Sequence, residues 1–381
     1  MKKTTSPNTK PSKKSSKPSN QISASWVLMF IFAVLLLQSG GVTAEEIKWC
    51  NATTLEVEGK GWTNTSGPFD RLPDEAQAII NTSAWGLSKN SAGISIRFTT
   101  NAPMVEVRWD LNNSMLAMPH MPATGVSGVD LYARSAKGVW TFIANGRPTK
   151  VEGNDVTFEF PNSFKGTKEC LLYLPLYNGI KLLEIGVPQS AKLDKPAPRP
   201  ANKRQPIAIY GTSITQGGCA SRPGMAWTSI LSRQLDRPII NLGFSGSGRM
   251  DLGIGEIYAQ LDPAVYVIDC LANVGDISQK EYDERINNLV TSIRKTHPKT
   301  PIVFVGRSSI RPDAHPTSTS IKQENSVQSL KKQGVKYLYL VSAKDLIGSD
   351  GEGTVDGVHF NDLGMDRMAK NLYPAIKKFV K

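Results

Sequence analysis

Histidine and cysteine are scarce in this 381-residue chain, at four residues each. The histidines, at 120, 297, 315 and 359, lie far apart in sequence, and no CxxC or Cys/His cluster has the spacing of a zinc site. Neither a metal ion nor an organic cofactor is expected. A phosphate-binding loop is missing too: Gly243-Phe-Ser-Gly-Ser-Gly248 lacks both the GxGxxG spacing and the lysine that such a loop needs. No GxSxG elbow surrounds any candidate serine. Basic residues exceed acidic ones, with a formal net charge of +12, but the excess forms no stripe or basic helix, which argues against nucleic acid as a partner.

Acid is absent from the N-terminus. The first 22 residues are Lys, Ser, Pro and Asn with six lysines, too polar to bury a core. Trp26–Leu37 is an apolar run of 12 residues, well short of the roughly 20 that span a bilayer. It is followed by small residues up to Val42-Thr-Ala44. A basic leader, a short apolar core and small residues before a cut predict a secretory signal over residues 1–44, cleaved after Ala44 with no stable membrane insertion afterwards; an uncleaved membrane anchor is the alternative. The expected location is periplasmic or extracellular. Without the leader the net charge falls to +6, because six of the 45 basic residues go and all 33 acids stay. Export permits disulfides. With two cysteines in each half, Cys50–Cys170 and Cys219–Cys270 are the simplest pairing, and buried free thiols are the alternative.

What the chain does have is a change of period. Across 45–187, segments such as Val105-Glu-Val-Arg-Trp109, Val129-Asp-Leu-Tyr-Ala-Arg134 and Val156-Thr-Phe-Glu-Phe160 alternate apolar and polar residues, the mark of half-buried strands. Short strands joined by Asn, Gly and Pro turns predict an antiparallel, sandwich-like domain, with no competing helix. Residues 188–205 form a Pro-rich segment that predicts a semi-rigid spacer. From 206 to 381 apolar runs at 207–210, 238–242, 264–270, 301–306 and 335–341 alternate with helical patterns. The clearest is 278–296, with a Ser278/Glu281 capping box, an apolar face of Tyr282, Ile286, Leu289 and Ile293, and Pro298 as its stop. Strand–helix alternation predicts an α/β domain with a parallel sheet covered on both faces.

Ligands bind beyond the carboxyl ends of such strands. Ser213, Gly243 and Asn273 follow directly on the first, second and third of them. Near the C-terminus, Asp356-Gly-Val-His359 puts a carboxylate three residues before an imidazole on a Gly-bearing turn. There the carboxylate can hold one ring nitrogen and leave the other to take a proton from a nucleophile. Ser213, Asp356 and His359 are therefore the expected catalytic set. The oxyanion donors would be the Ser213 and Gly243 N–H groups and the Asn273 amide. Cys219 has no evident base beside it and reads as a packed thiol. His120, in Met118-Pro-His-Met-Pro122, could wall the pocket mouth from the first domain, although loop packing is the plainer reading. Arg307, after the fourth strand, could contact substrate, or simply form a surface ion pair.

The islands GTSIT, NLGFSGSG, LANVG and DGVH, in this order over 206–381, resemble the four blocks of the SGNH (GDSL-like) hydrolases. Thr212 stands where that family has the Asp of GDS, and of its GxND only Asn273 is kept. Gly128-Val-Asp-Leu-Tyr132 resembles the GxDLY signature of a β-rich domain that precedes some SGNH esterases. The resemblance implies a flavodoxin-like sheet and hydrolysis of a carboxylic ester through an acyl-serine intermediate, without cofactor. The expected substrate is an ester, small or polysaccharide, with deacetylation of carbohydrate favoured. A short-chain lipid or lysophospholipid esterase and a non-catalytic carbohydrate-binding protein are the alternatives.

Overall fold

The structure, a computed structural model, describes residues 45–134 and 138–380. The leader expected at 1–44 lies outside the described residues. Among those described, no helix is long and apolar enough to cross a membrane.

Antiparallel strands build the first half: β1 (Ile47–Asn51), β2 (Glu56–Glu58), β3 (Ser95–Thr100), β4 (Met104–Leu111), β5 (Val129–Arg134), β6 (Trp140–Gly146), β7 (Asn154–Glu159), β8 (Lys168–Tyr173), β9 (Ile180–Pro188) and β10 (Leu193–Asp194). They form two sheets, β1-β9-β4-β7 and β10-β3-β8-β5-β6, with β2 on β3. Alternate residues of β4, among them Val105, Val107 and Trp109, point into a core shared with Phe98 of β3 and Leu172 of β8. This is the expected sandwich. Strand β8 shows no alternation in the sequence because its residues Cys170–Tyr173 are buried on both faces. Two short helices that the sequence pattern does not announce, α1 (Thr82–Ser88) and α2 (Ala123–Val126), interrupt the strands. Neither is long enough to show a period.

The second half is a parallel sheet of β11 (Ile207–Gly211), β12 (Ile239–Gly243), β13 (Val265–Asp269), β14 (Ile302–Val305) and β15 (Leu338–Val341). The order is β12-β11-β13-β14-β15, the flavodoxin-like arrangement. The helical segments are α3 (Ser213–Gln216), α4 (Trp227–Leu235), α5 (Ile254–Tyr258), α6 (Leu271–Val274), α7 (Gln279–Thr296), α8 (Ser318–Lys332) and α9 (Asp362–Lys377). Strand residues alternate between two cores. Ala208 and Tyr210 pack with α5, α7 and α8 on one face, and Ile207 and Ile209 with α4 and α9 on the other. Helix α7 carries the expected capping box and buries Tyr282, Ile286, Leu289 and Ile293.

The Pro-rich segment is built into the fold rather than left as a spacer. Leu193 and Asp194 extend the sandwich by pairing with β3, and Arg199 forks onto Glu58 (2.7 and 2.9 Å) while also reaching Asp236 (2.9 Å). All four cysteines are free thiols, so neither expected disulfide forms. Cys219 and Cys270 belong to cores on opposite faces of the parallel sheet, and Cys50 and Cys170 lie on strands of different sandwich sheets.

Two buried side chains tie the sandwich to the loops of the second half. Asp130, in the middle of the GVDLY strand β5, accepts hydrogen bonds from Arg222 Nη1 (2.8 Å), the Gly224 N–H (2.8 Å) and Asn145 Nδ2 (2.7 Å). Tyr132 lies so close to Gly224 that a Cβ there would sit 2.3 Å from its ring. The motif is thus a latch on the loop that follows α3. Arg71, fully buried, donates to the carbonyls of Leu87, Asn90, Asn241 and Gly243. Burial pulls its guanidinium down to about 9, with Tyr177 and Asp70 opposing. An arginine placed at the last turn of β12 in this way fixes the path of the Gly-rich loop.

Candidate active site

Ser213 opens α3 at the carboxyl end of β11 and is nearly buried. Its predecessor Thr212 is the N-cap, its Oγ1 accepting from the Ile214 N–H (3.3 Å). Thr and Asp both serve as N-caps, which accounts for Thr212 in place of the Asp of GDS. The DGVH turn carries the other two groups. Asp356 Oδ1 accepts from the N–H groups of Val358 (3.0 Å) and His359 (2.7 Å), and Gly357 adopts φ +87°, a conformation other residues rarely take. This local wrap points Asp356 Oδ2 at His359 Nδ1, 2.7 Å away, and leaves His359 Nε2 3.0 Å from Ser213 Oγ. A carboxylate only accepts, so Nδ1 carries the proton and Nε2 accepts from the serine hydroxyl. Burial pushes the Asp356 carboxyl up, but the His359 ring and two backbone N–H groups outweigh it and hold the group down at about 2.

The donors left unspent beside Ser213 differ from the expected set at one position. The N–H of Gly243 is committed to Asn241 Oδ1 (2.9 Å), and a Cβ on Gly243 would sit 2.1 Å from the Gln216 backbone nitrogen. Gly243 is therefore a glycine of close approach between β12 and α3. Three residues on, Gly246 at φ +67° donates no hydrogen bond to any described residue, and the side its Cβ would occupy faces Asn273 Nδ2 at 4.0 Å. Asn273 Nδ2 and the Ser213 N–H are likewise unspent among the described residues. The loop is pinned by Gln216, whose Oε1 accepts from the Ser245 N–H (3.0 Å) while its Nε2 donates to Asn90 Oδ1 and the Leu176 carbonyl. The signal was in the sequence: of the glycines in NLGFSGSG, the one deepest in the turn is the one free to face a ligand.

His120 reaches the site. Met118 and Met121 exchange backbone hydrogen bonds across a tight turn, and the exposed His120 at its tip puts its ring centroid 5.7 Å from that of His359. Cys219 follows on the loop after α3, and its N–H donates to the Phe360 carbonyl (2.8 Å). Burial, reinforced by the charge of Asp356, pushes its thiol up to about 11. Arg307 makes no ion pair among the described residues. It lines a cavity of about 130 Å³ with Ile214, Asp269, Ser309 and Val358, of which Ile214 and Val358 are the chain neighbours of Ser213 and His359. Asp269, at the end of β13, is half-buried. Burial raises its carboxyl to about 7 although Thr215 Oγ1 donates to it (2.8 Å).

Comparison with known proteins places this geometry. The model of the GDSL-like lipase/acylhydrolase family matches residues 204–377, and that of the GxDLY N-terminus of SGNH-hydrolase-type esterases matches 47–193. A Bacteroides ovatus ATCC 8483 protein, described as a GDSL-like lipase, is 36% identical with a TM-score of 0.76, covering 88% of this chain and 98% of its own. The salicylyl-acyltransferase SsfX3 of a tetracycline biosynthetic pathway gives 0.71 at 17% identity, covering 88% and 99%. A family two carbohydrate esterase from Cellvibrio japonicus gives 0.56 at 13% identity, covering 88% and 99%. The last two show likeness of fold alone. No curated protein sequence matches the chain. With both halves matched and a relative this similar over nearly its whole length, the chain belongs to the GDSL-like (SGNH) serine ester hydrolases that carry a GxDLY N-terminal domain.

Proposed function

We propose that this protein is an exported O-acetyl esterase acting on carbohydrate. Ser213 is its nucleophile, His359 its general base and acid, Asp356 the group that orients and stabilises the imidazolium, and Ser213 N–H, Gly246 N–H and Asn273 Nδ2 its oxyanion donors. The observation that carries the reading is the unbroken chain Asp356–His359–Ser213, at 2.7 and 3.0 Å, beside three unspent donors. As Ser213 Oγ attacks the ester carbonyl, its proton moves to His359 Nε2, and the carbonyl oxygen becomes an anion met by those donors. Collapse of the tetrahedral intermediate passes the proton to the leaving alcohol. Water, deprotonated by the same nitrogen, then releases the acid from the acyl-serine. Two features support acetate and a sugar: an exposed rim, and carbohydrate esterases among the proteins of like fold. The apolar run and basic leader support export.

The test is a screen of p-nitrophenyl esters from acetate to palmitate, extended to acetylated polysaccharides. The rate is expected to peak at acetate, with acetate released from at least one polysaccharide. A maximum at long chains overturns the deacetylase reading in favour of a lipid esterase. No hydrolysis of any ester overturns catalysis altogether.

A further inference from the structure

Three donor atoms converge on the outer edge of the triad, one each from His120, Cys219 and His359, all within 4.8 Å of one another. They come from a sandwich turn, the loop after α3 and the DGVH turn. Two imidazole nitrogens and a sulfur are the donors that zinc prefers over oxygen-seeking magnesium and calcium. In a tetrahedral zinc site, bonds of about 2.0–2.1 Å to nitrogen and about 2.3 Å to sulfur set the ligand atoms roughly 3.4–3.7 Å apart. The cluster is therefore about one ångström wider than a closed site. The exposed His120, at the tip of its turn, has the side-chain freedom to close that gap.

The surroundings support a site rather than a coincidence of side chains. Metal-ligating histidines characteristically have their second ring nitrogen held by a carboxylate, which fixes the tautomer and aims the ring. Asp356 does this to His359, bonding Nδ1 at 2.7 Å and leaving Nε2 as the outward donor. Cys219 is held in register with His359 because its N–H bonds the carbonyl of Phe360, the residue after that histidine. Three protein ligands would leave the fourth position to water or to Ser213 Oγ, which lies 3.0 Å from Nε2.

We propose that His120, Cys219 and His359 form an inhibitory site for a borderline-soft divalent cation such as Zn²⁺. Binding replaces the hydrogen bond between Ser213 Oγ and His359 Nε2 with a metal–nitrogen bond, so the serine loses its base. The thiol of Cys219 releases its proton to solvent as the sulfur–metal bond forms, and no oxidant or reductant is involved. The inhibitory consequence rests on the acyl-serine reading; the binding itself does not.

The experiment separates the two. The purified Ser213→Ala variant is titrated with Co²⁺, whose thiolate complex absorbs in the near ultraviolet. One equivalent is expected to give that band, and adding Cys219→Ala is expected to abolish it although Cys50, Cys170 and Cys270 remain. In the Ser213 enzyme, Zn²⁺ is expected to inhibit ester hydrolysis reversibly on chelation, with no inhibition by Mg²⁺. Cys219→Ala and His120→Ala should each raise the half-inhibiting Zn²⁺ concentration by at least the roughly 10–100-fold seen when outer-shell partners alone are lost. No cobalt band, a band that survives Cys219→Ala, or an unchanged Zn²⁺ sensitivity in both variants overturns the proposal. A Cys219-dependent band in a protein without esterase activity keeps the site and refutes the catalytic reading instead.

Discussion

Strands β5 and β11 are close counterparts with different uses. Both are short and almost wholly buried, and both carry the signature of their half, GVDLY in one and IAIYG-TS in the other. Strand β11 delivers its chemistry past its end, because every strand of a parallel sheet points the same way and the following turns gather at one edge. Strand β5 lies in an antiparallel sheet, which has no such edge. It acts from its middle, through Asp130 on Arg222 and Gly224, and so holds a loop of the other half in place. The sandwich supplies no triad group, yet its Arg71 fixes the turn at the end of β12 and its His120 stands beside His359. In the proposed reading the second half holds the reacting groups. The first holds the loops that carry and border them.

That division predicts distinct losses. The largest falls on the reaction. Ser213→Ala is expected to lower kcat by up to about 10⁶-fold, and Asn273→Ala by about 10²–10³-fold, both without moving the urea midpoint. Undiminished hydrolysis of p-nitrophenyl acetate by the serine variant would sink the assignment. Gly246 and Gly243 divide the same way. Gly246→Ala should cost rate together with the roughly 1 kcal/mol of strain that alanine carries at φ +67°, whereas Gly243→Ala should cost mainly stability, and more of it, since its Cβ meets the Gln216 backbone at 2.1 Å.

Next comes the latch. Asp130→Ala leaves Arg222 without its carboxylate and the Gly224 N–H without an acceptor, and breaking a buried pair from one side costs about 3–5 kcal/mol. Urea denaturation should show that loss. Equal stability of variant and parent would mean that the two halves do not depend on this contact.

The smallest effect is a pH dependence located in the second half. The carboxyl of Asp269 is raised to about 7 in the fold, above the unfolded value of about 3.9. Its contribution is fully present below about pH 4 and is lost as pH rises toward about 7. Stability should therefore fall by roughly 2 kcal/mol between about pH 5 and about pH 7, and Asp269→Asn should flatten that slope. Thermal unfolding across this range reads it directly, and an identical slope in the variant would refute it. Asp356, held at about 2, works in the opposite sense: its contribution is present above about pH 4 and is lost only as pH falls toward about 2.

The strands of β4 and β7, the helix α7 with its capping box and the DGVH turn were all legible in the sequence. Each is written in residues a few positions apart, where side-chain period and short-range hydrogen bonds decide the conformation. Asp356 and His359 meet because three residues and one Gly at positive φ suffice to bring them together. The tertiary structure alone decided the rest. It set Gly246 beside Asn273. It kept four cysteines apart as thiols, turned a Pro-rich segment into a docked strap through Arg199, and brought His120 and Cys219 to His359. Those outcomes depend on the path of the chain between residues distant in sequence, and no local period records that path.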